Sequence, residues 1–110
     1  MSESATEIKP ERAAATLAPI HPGEVLLREF LVTLGVAQKT LADAIRVPPR
    51  RISTIIHGKR GITADTALRL ARYFGTTDRF WLNLQVHYEL EIGRIKLGRT
   101  LNWIHPLRRE

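Results

Sequence analysis

Residues 38–57 read QKTLADAIRVPPRRISTIIH, and this run carries helical spacing twice with a break in the middle. In its first half Leu41, Ala42 and Ile45 fall on one side of a short helix, Gln38–Ile45. Pro48 and Pro49 cannot lie inside that helix, because proline lacks the N–H and disfavours helical backbone before it; Pro49 can instead open the next helix. A helix over Pro49–Ile56 then buries Ile52, Ile55 and Ile56 and turns Arg50, Arg51, Ser53, Thr54 and His57 outward. Ala42 is small where two helices must approach closely. The run predicts two short helices sharing an apolar seam, the second with a polar outer face.

Upstream, Pro22 suits a first helical position and Glu24 the positive end of a helix dipole; Leu26, Leu27, Phe30, Leu31 and Leu34 line one face before Gly35 stops the run. Downstream, Gly58 and Gly61 bracket a basic loop, Thr63 caps a helix with Ala67, Leu68, Ala71 and Phe74 on one side, and Gly75 ends it. Thr77 repeats the cap for a fifth helix from Asp78 to at least Ile92, with Trp81, Leu84 and Tyr88 on one stripe. The expectation is an all-α fold, a compact five-helix domain over residues 21–93. Residues 1–20, interrupted by Pro10 and Pro19, are expected to form a flexible N-terminal arm. In residues 94–110 the spacing of Ile95, Leu97, Leu101 and Trp103 predicts a strand-like tail or short hairpin.

A chain of 110 residues with 44% hydrophobic and 25% charged residues supports one core rather than two or none. The lack of cysteine excludes disulfides, thiolate zinc sites and thiol nucleophiles. No apolar run approaches the roughly 20 residues of a membrane span, and the N-terminus does not read as a secretory signal, so a cytoplasmic protein without a membrane partner is expected. The net charge is +6, and Gln38–Arg60 alone holds six cations, Lys39, Arg46, Arg50, Arg51, Lys59 and Arg60, against the single acid Asp43. Charge concentrated in this way suits a phosphate-bearing partner.

A helix that reads bases in the major groove presents short polar and guanidinium side chains while a scaffold helix anchors its other face. Residues 38–57 supply both parts, although spacing alone also fits an ordinary αα-hairpin with a solvated basic face. For Arg50 and Arg51 two roles stay open, a bidentate contact to a guanine edge and a phosphate contact. One such helix spans too few base pairs, whereas two-fold dimers place two about 34 Å apart. Trp81, Leu84 and Tyr88 are the candidates for part of a homodimer face, although for Trp81 the general burial of aromatics favours filling of the protomer core. His21, His57, His87 and His105 are scattered, and no glycine loop suited to phosphate appears, so no catalytic site, metal or cofactor is expected. The remote enzyme reading is a small basic ribonuclease using His57 with Lys59 or Arg60.

The blocks HPGEVL (21–26), VAQKTLA (36–42), VPPRRI (47–52), GKRGIT (58–63) and FWLNLQ (80–85) resemble the HigA-type antitoxins of the lambda-repressor-like (XRE/Cro-type) helix-turn-helix family. The resemblance covers about residues 20–93. It implies an antitoxin that neutralises a small HigB-type mRNA-cleaving toxin, its cognate partner. It also implies a repressor of their shared operon that binds double-stranded operator DNA as a homodimer. By position, Gln38 matches a phosphate-binding glutamine, Arg50, Arg51, Ser53 and Thr54 match base-facing positions, and Lys59 and Arg60 match a phosphate-touching loop. His57 stands where asparagine is common, and Lys39, Arg46 and Pro49 complete the DNA-facing set. The chain departs from the pattern at Ala37, which lacks the usual capping hydroxyl, and at Arg46, which replaces the usual turn glycine. The alternative function is a free-standing helix-turn-helix repressor with no toxin partner.

Overall fold

The computed structural model describes residues 18–108, and the arm expected over residues 1–20 lies almost wholly outside them. Helix α1 opens at Pro22–Val25 and continues as a π-helical stretch, Leu26–Val32. Four further helices follow: α2 (Gln38–Ile45), α3 (Pro49–Ile56), α4 (Ala64–Phe74) and α5 (Asp78–Leu97). The chemistry of the helix ends sets these limits. Thr63 and Thr77 accept from the N–H of Thr66 and Phe80, and His21 Nδ1 accepts from the Gly23 N–H at 2.9 Å. Burial holds the His21 pKa below its usual value, which favours the neutral ring whose lone pair makes this cap.

The π stretch was not legible in the apolar pattern, which predicts an ordinary α-helix. In α geometry two residues five apart point roughly 140° from one another. The i→i+5 bonding of a π-helix widens the turn and brings Leu26 and Leu31 round to the same side, where both are buried.

Leu26, Leu41, Ile52, Ile55, Leu70 and Trp81 have no exposed surface and form the centre of the core. Trp81 is ringed by Phe30, Phe74 and Phe80, at centroid distances of 4.8, 6.1 and 5.0 Å, and its indole N–H donates to Thr76 Oγ1 at 2.8 Å. Trp81 therefore fills the protomer's own core, the favoured of its two readings, and drops out of the candidate homodimer face. Leu84 packs half-buried against the same core, and Tyr88 sets its ring edge-on to His21 at 4.9 Å.

The strand-like tail is corrected. No strand occurs among the described residues; α5 runs on to Leu97 and a 3-10 turn follows over Gly98–Trp103. Gly93, unlike Gly35 and Gly75, is not left-handed and the helix runs through it; Arg94 and Lys96 then sit favourably at the negative end of its dipole. The apolar residues that suggested a strand, Ile95, Leu97, Leu101 and Trp103, are exposed along this continuation.

Between α2 and α3 the chain turns through Arg46, at φ 61° and ψ 49° the only non-glycine with positive φ among the described residues. The N–H of the buried Val47 then donates back to the Ala42 carbonyl at 3.0 Å, closing the end of α2. Left-handed backbone at a side-chain-bearing residue costs roughly 1–2 kcal/mol. Ala37, at the other end of α2, makes no side-chain cap.

Two stability outcomes follow from these ends. Ala37→Ser raises stability by about 1 kcal/mol, the ordinary value of a capping hydroxyl. Arg46→Gly gains somewhat less, because relief of the left-handed strain is offset by the ~0.5–1 kcal/mol entropy cost of glycine. Both are read as higher urea midpoints at unchanged slope, and a lower midpoint for Arg46→Gly would contradict the strained turn.

Candidate nucleic-acid interface

Ile52 and Ile55 fix the inner side of α3, so the opposite side follows from helical geometry: Arg50, Ser53 and His57 with Thr54 at its edge. Arg50 and His57 are exposed, and Ser53 and Thr54 are half-exposed. The Thr54 hydroxyl donates to the carbonyls of Arg50 and Arg51 at 2.9 and 3.1 Å, which commits its hydrogen and leaves its oxygen lone pairs and methyl group for outer contacts. His57 Nδ1 lies 2.8 Å from the Ser53 carbonyl, which can only accept. Nδ1 therefore carries the hydrogen, and in the neutral ring Nε2 becomes an acceptor directed away from that bond. The face offers a guanidinium, a hydroxyl, an imine acceptor and a methyl, the repertoire that distinguishes base pairs in the major groove.

Arg51 differs from Arg50. Its Nη1 donates to Asp65 Oδ2 at 2.5 Å, and its side chain is only 26% exposed. Asp65 also accepts from Arg69 Nε at 3.0 Å; Arg51 first and Arg69 second hold its carboxyl below the usual carboxylate range. Asp65 lies in the first turn of α4, where a carboxylate also suits the helix dipole, and Arg69 lies one turn later. Their i, i+4 spacing on α4 signals an ion pair, but nothing local signals the third partner 14 residues upstream.

The helix ends bear on the site as well. His21, Thr63 and Thr77 cap α1, α4 and α5, whereas α2 and α3 begin at Ala37 and Pro48 without side-chain caps. The first-turn N–H groups of α2 are thus left for an outside acceptor, and exposed Gln38 stands among them. Lys39 is exposed and pairs with Asp43 at 3.0 Å, and Arg46 and Pro49 are exposed at and after the turn.

Lys59 and Arg60 are exposed on the loop after α3. Gln85, a buried amide on α5 that sequence reading missed, accepts from the Ile62 N–H at 2.7 Å and donates to Glu89 at 2.9 Å. Its amide packs so tightly on Gly61 that a Cβ there would come within 2.9 Å of it. Gly23 is tighter still: a Cβ would lie 1.9 Å from the Ile55 carbonyl oxygen, so α1 and the end of α3 meet backbone on backbone. No cluster of three or more metal-ligating side chains occurs among the described residues.

Comparison with known proteins places this geometry. The helix-turn-helix family model matches residues 27–82. Virulence-associated protein I of Dichelobacter nodosus is 48% identical over 88 residues, covering 80% of this chain and 81% of that protein. Antitoxin HigA-1 of Vibrio cholerae is 36% identical over 89 residues, covering 81% and 84%. The Pseudomonas aeruginosa antitoxin HigA, solved with the higBA promoter, superposes with a TM-score of 0.78 at 42% identity, over 82% of this chain and 99% of that one. Likeness of this extent, in sequence and in backbone, makes the protein a member of the helix-turn-helix family, in its HigA-type branch.

Proposed function

We propose that this chain is the antitoxin of a toxin–antitoxin pair in the cytoplasm, and represses its own operon by placing α3 in the major groove of operator DNA. The observation that carries the reading is the polar outer face of α3, on a backbone closely similar to that of a HigA solved with promoter DNA. Gln38 and the uncapped start of α2, with Lys39, Arg46, Pro49, Lys59 and Arg60, meet phosphates; Arg50, Arg51, Ser53, Thr54 and His57 face bases. Neutralisation of a small mRNA-cleaving toxin is inferred from the branch to which the chain belongs. The chain carries no catalytic role in this reading.

A second copy is required for a useful length of operator, and α5 offers a face for it that the expected trio does not. Val86, Leu90 and Leu97 recur every three to four residues through Gly93, on the side away from Trp81, while Leu82, one turn before them, still packs half-buried on the core. Val86, Leu90 and Leu97 are 50, 51 and 45% exposed. A stripe of this spacing suits helix-on-helix packing between protomers.

Two measurements test the reading. In fluorescence anisotropy with the chain's own upstream DNA, Arg50→Ala relaxes preference at one base pair of each half-site, costing about 1–3 kcal/mol there. Lys59→Ala instead weakens all sequences alike and lowers the salt slope by roughly one. Lack of duplex binding at low salt would refute the proposal, and failure of the chain to restore growth against the neighbouring gene's product would leave a lone repressor. In sedimentation, Leu90→Asp converts a dimer to a folded monomer with an unchanged helical spectrum; a dimer that survives places the interface elsewhere.

A further inference from the structure

Asp65 sits in the first turn of α4 with about half of its side chain exposed, inside a region otherwise rich in cations. Its Oδ2 accepts from Arg51 on α3 and from Arg69 on α4. Arg69 Nη1 passes the connection on to the carbonyls of Ile45 and Arg46, at 2.7 and 3.3 Å, where α2 ends. One carboxylate thereby links the end of the scaffold helix, the flank of the recognition helix and the start of α4.

An exposed ion pair contributes little to stability, and a negative charge beside a phosphate-facing surface opposes DNA of every sequence. What the carboxylate supplies is orientation. A guanidinium has five N–H donors in a rigid fork, and the bond from Arg51 Nη1 to Asp65 engages only one side of it. The remaining donors are presented in one direction instead of being spread over the many rotamers of a long side chain.

We propose that Asp65 is a specificity-determining positioning residue, holding Arg51 so that its guanidinium meets a guanine edge in one orientation instead of ranging among phosphates. This rests on the reading of α3 as the helix that enters the major groove. The two effects of the carboxylate have opposite signs in two measurable quantities: it lowers affinity for duplex DNA in general and raises discrimination at one base pair. Specificity then arises partly by penalising wrong sequences.

The test uses the full chain as wild type, Asp65→Asn, Asp65→Ala, Arg51→Ala and Arg51→Ala with Asp65→Asn. A binding sequence is selected from a random duplex pool with the wild type, and dissociation constants are measured for it, its single-base variants and an unrelated duplex at one salt concentration. Arg51→Ala is expected to lose discrimination at one base pair per half-site, by roughly 5-fold or more. Both Asp65 variants lose most of that preference at the same base pair, bind the unrelated duplex as well or better, and melt within a few degrees of wild type. Adding Asp65→Asn to Arg51→Ala changes discrimination no further. If the Asp65 variants keep the preference that Arg51→Ala abolishes, the positioning role is overturned while the groove reading stands. A uniform loss over all base pairs with a lowered melting temperature overturns it too, in favour of a purely architectural role. If Arg51→Ala leaves every preference intact but Arg50→Ala does not, Arg51 is no base reader and the proposal falls with it.

Discussion

The orientation of α3 rests on Ile52 and Ile55, two side chains with no exposed surface that dock the helix against the core. Rotating α3 would expose isobutyl-sized groups at about 1.5–3 kcal/mol each and bury a charge in their place, so the helix has one stable setting. Everything on its outer face inherits that setting. Gly23 reinforces it from behind, since the backbone of α1 lies directly on the Ile55 carbonyl and leaves the end of α3 no room to shift. The reading face is rigid because its opposite face is apolar, closely packed and short.

The five helices were largely legible in the chain because their ends are written in local chemistry. Threonine caps at 63 and 77, prolines at 22 and 49, and glycines at 35 and 75 act on their immediate neighbours, so spacing alone locates them. The outer face of α3 was legible for the same reason: helical period assigns the faces once Ile52 and Ile55 are known to be inside. The left-handed turn at Arg46 was also foreseeable, because its place in the helix-turn-helix demands that backbone whichever residue occupies it.

What escaped depends on contacts between residues far apart. Arg51 looked equivalent to Arg50 until Asp65, 14 positions later, separated them. Gln85 reads as an ordinary polar residue on a long helix, and only the arrival of the 61–62 segment 23 positions earlier turns it into a buried staple. Trp81 stayed open for a related reason: an aromatic on a stripe suits a core or an interface, and three other rings decide for the core. On the tail, alternate apolar residues imitated a strand because no partner strand can be checked from one sequence. On α5 two apolar stripes run side by side, and spacing alone does not say that Val86, Leu90 and Leu97 form the one left exposed.

The Gln85 staple has a consequence for the reach of the assembly. α5 is a rod of 20 residues, about 30 Å long, and it holds the basic loop through Gln85 while presenting the outer leucines a turn away. A protomer docked on those leucines would stand at a distance set largely by that one helix. In such a caliper one base pair added between half-sites would move the far contact by about 3.4 Å along the duplex axis and swing it around that axis, two displacements that a straight helix resists.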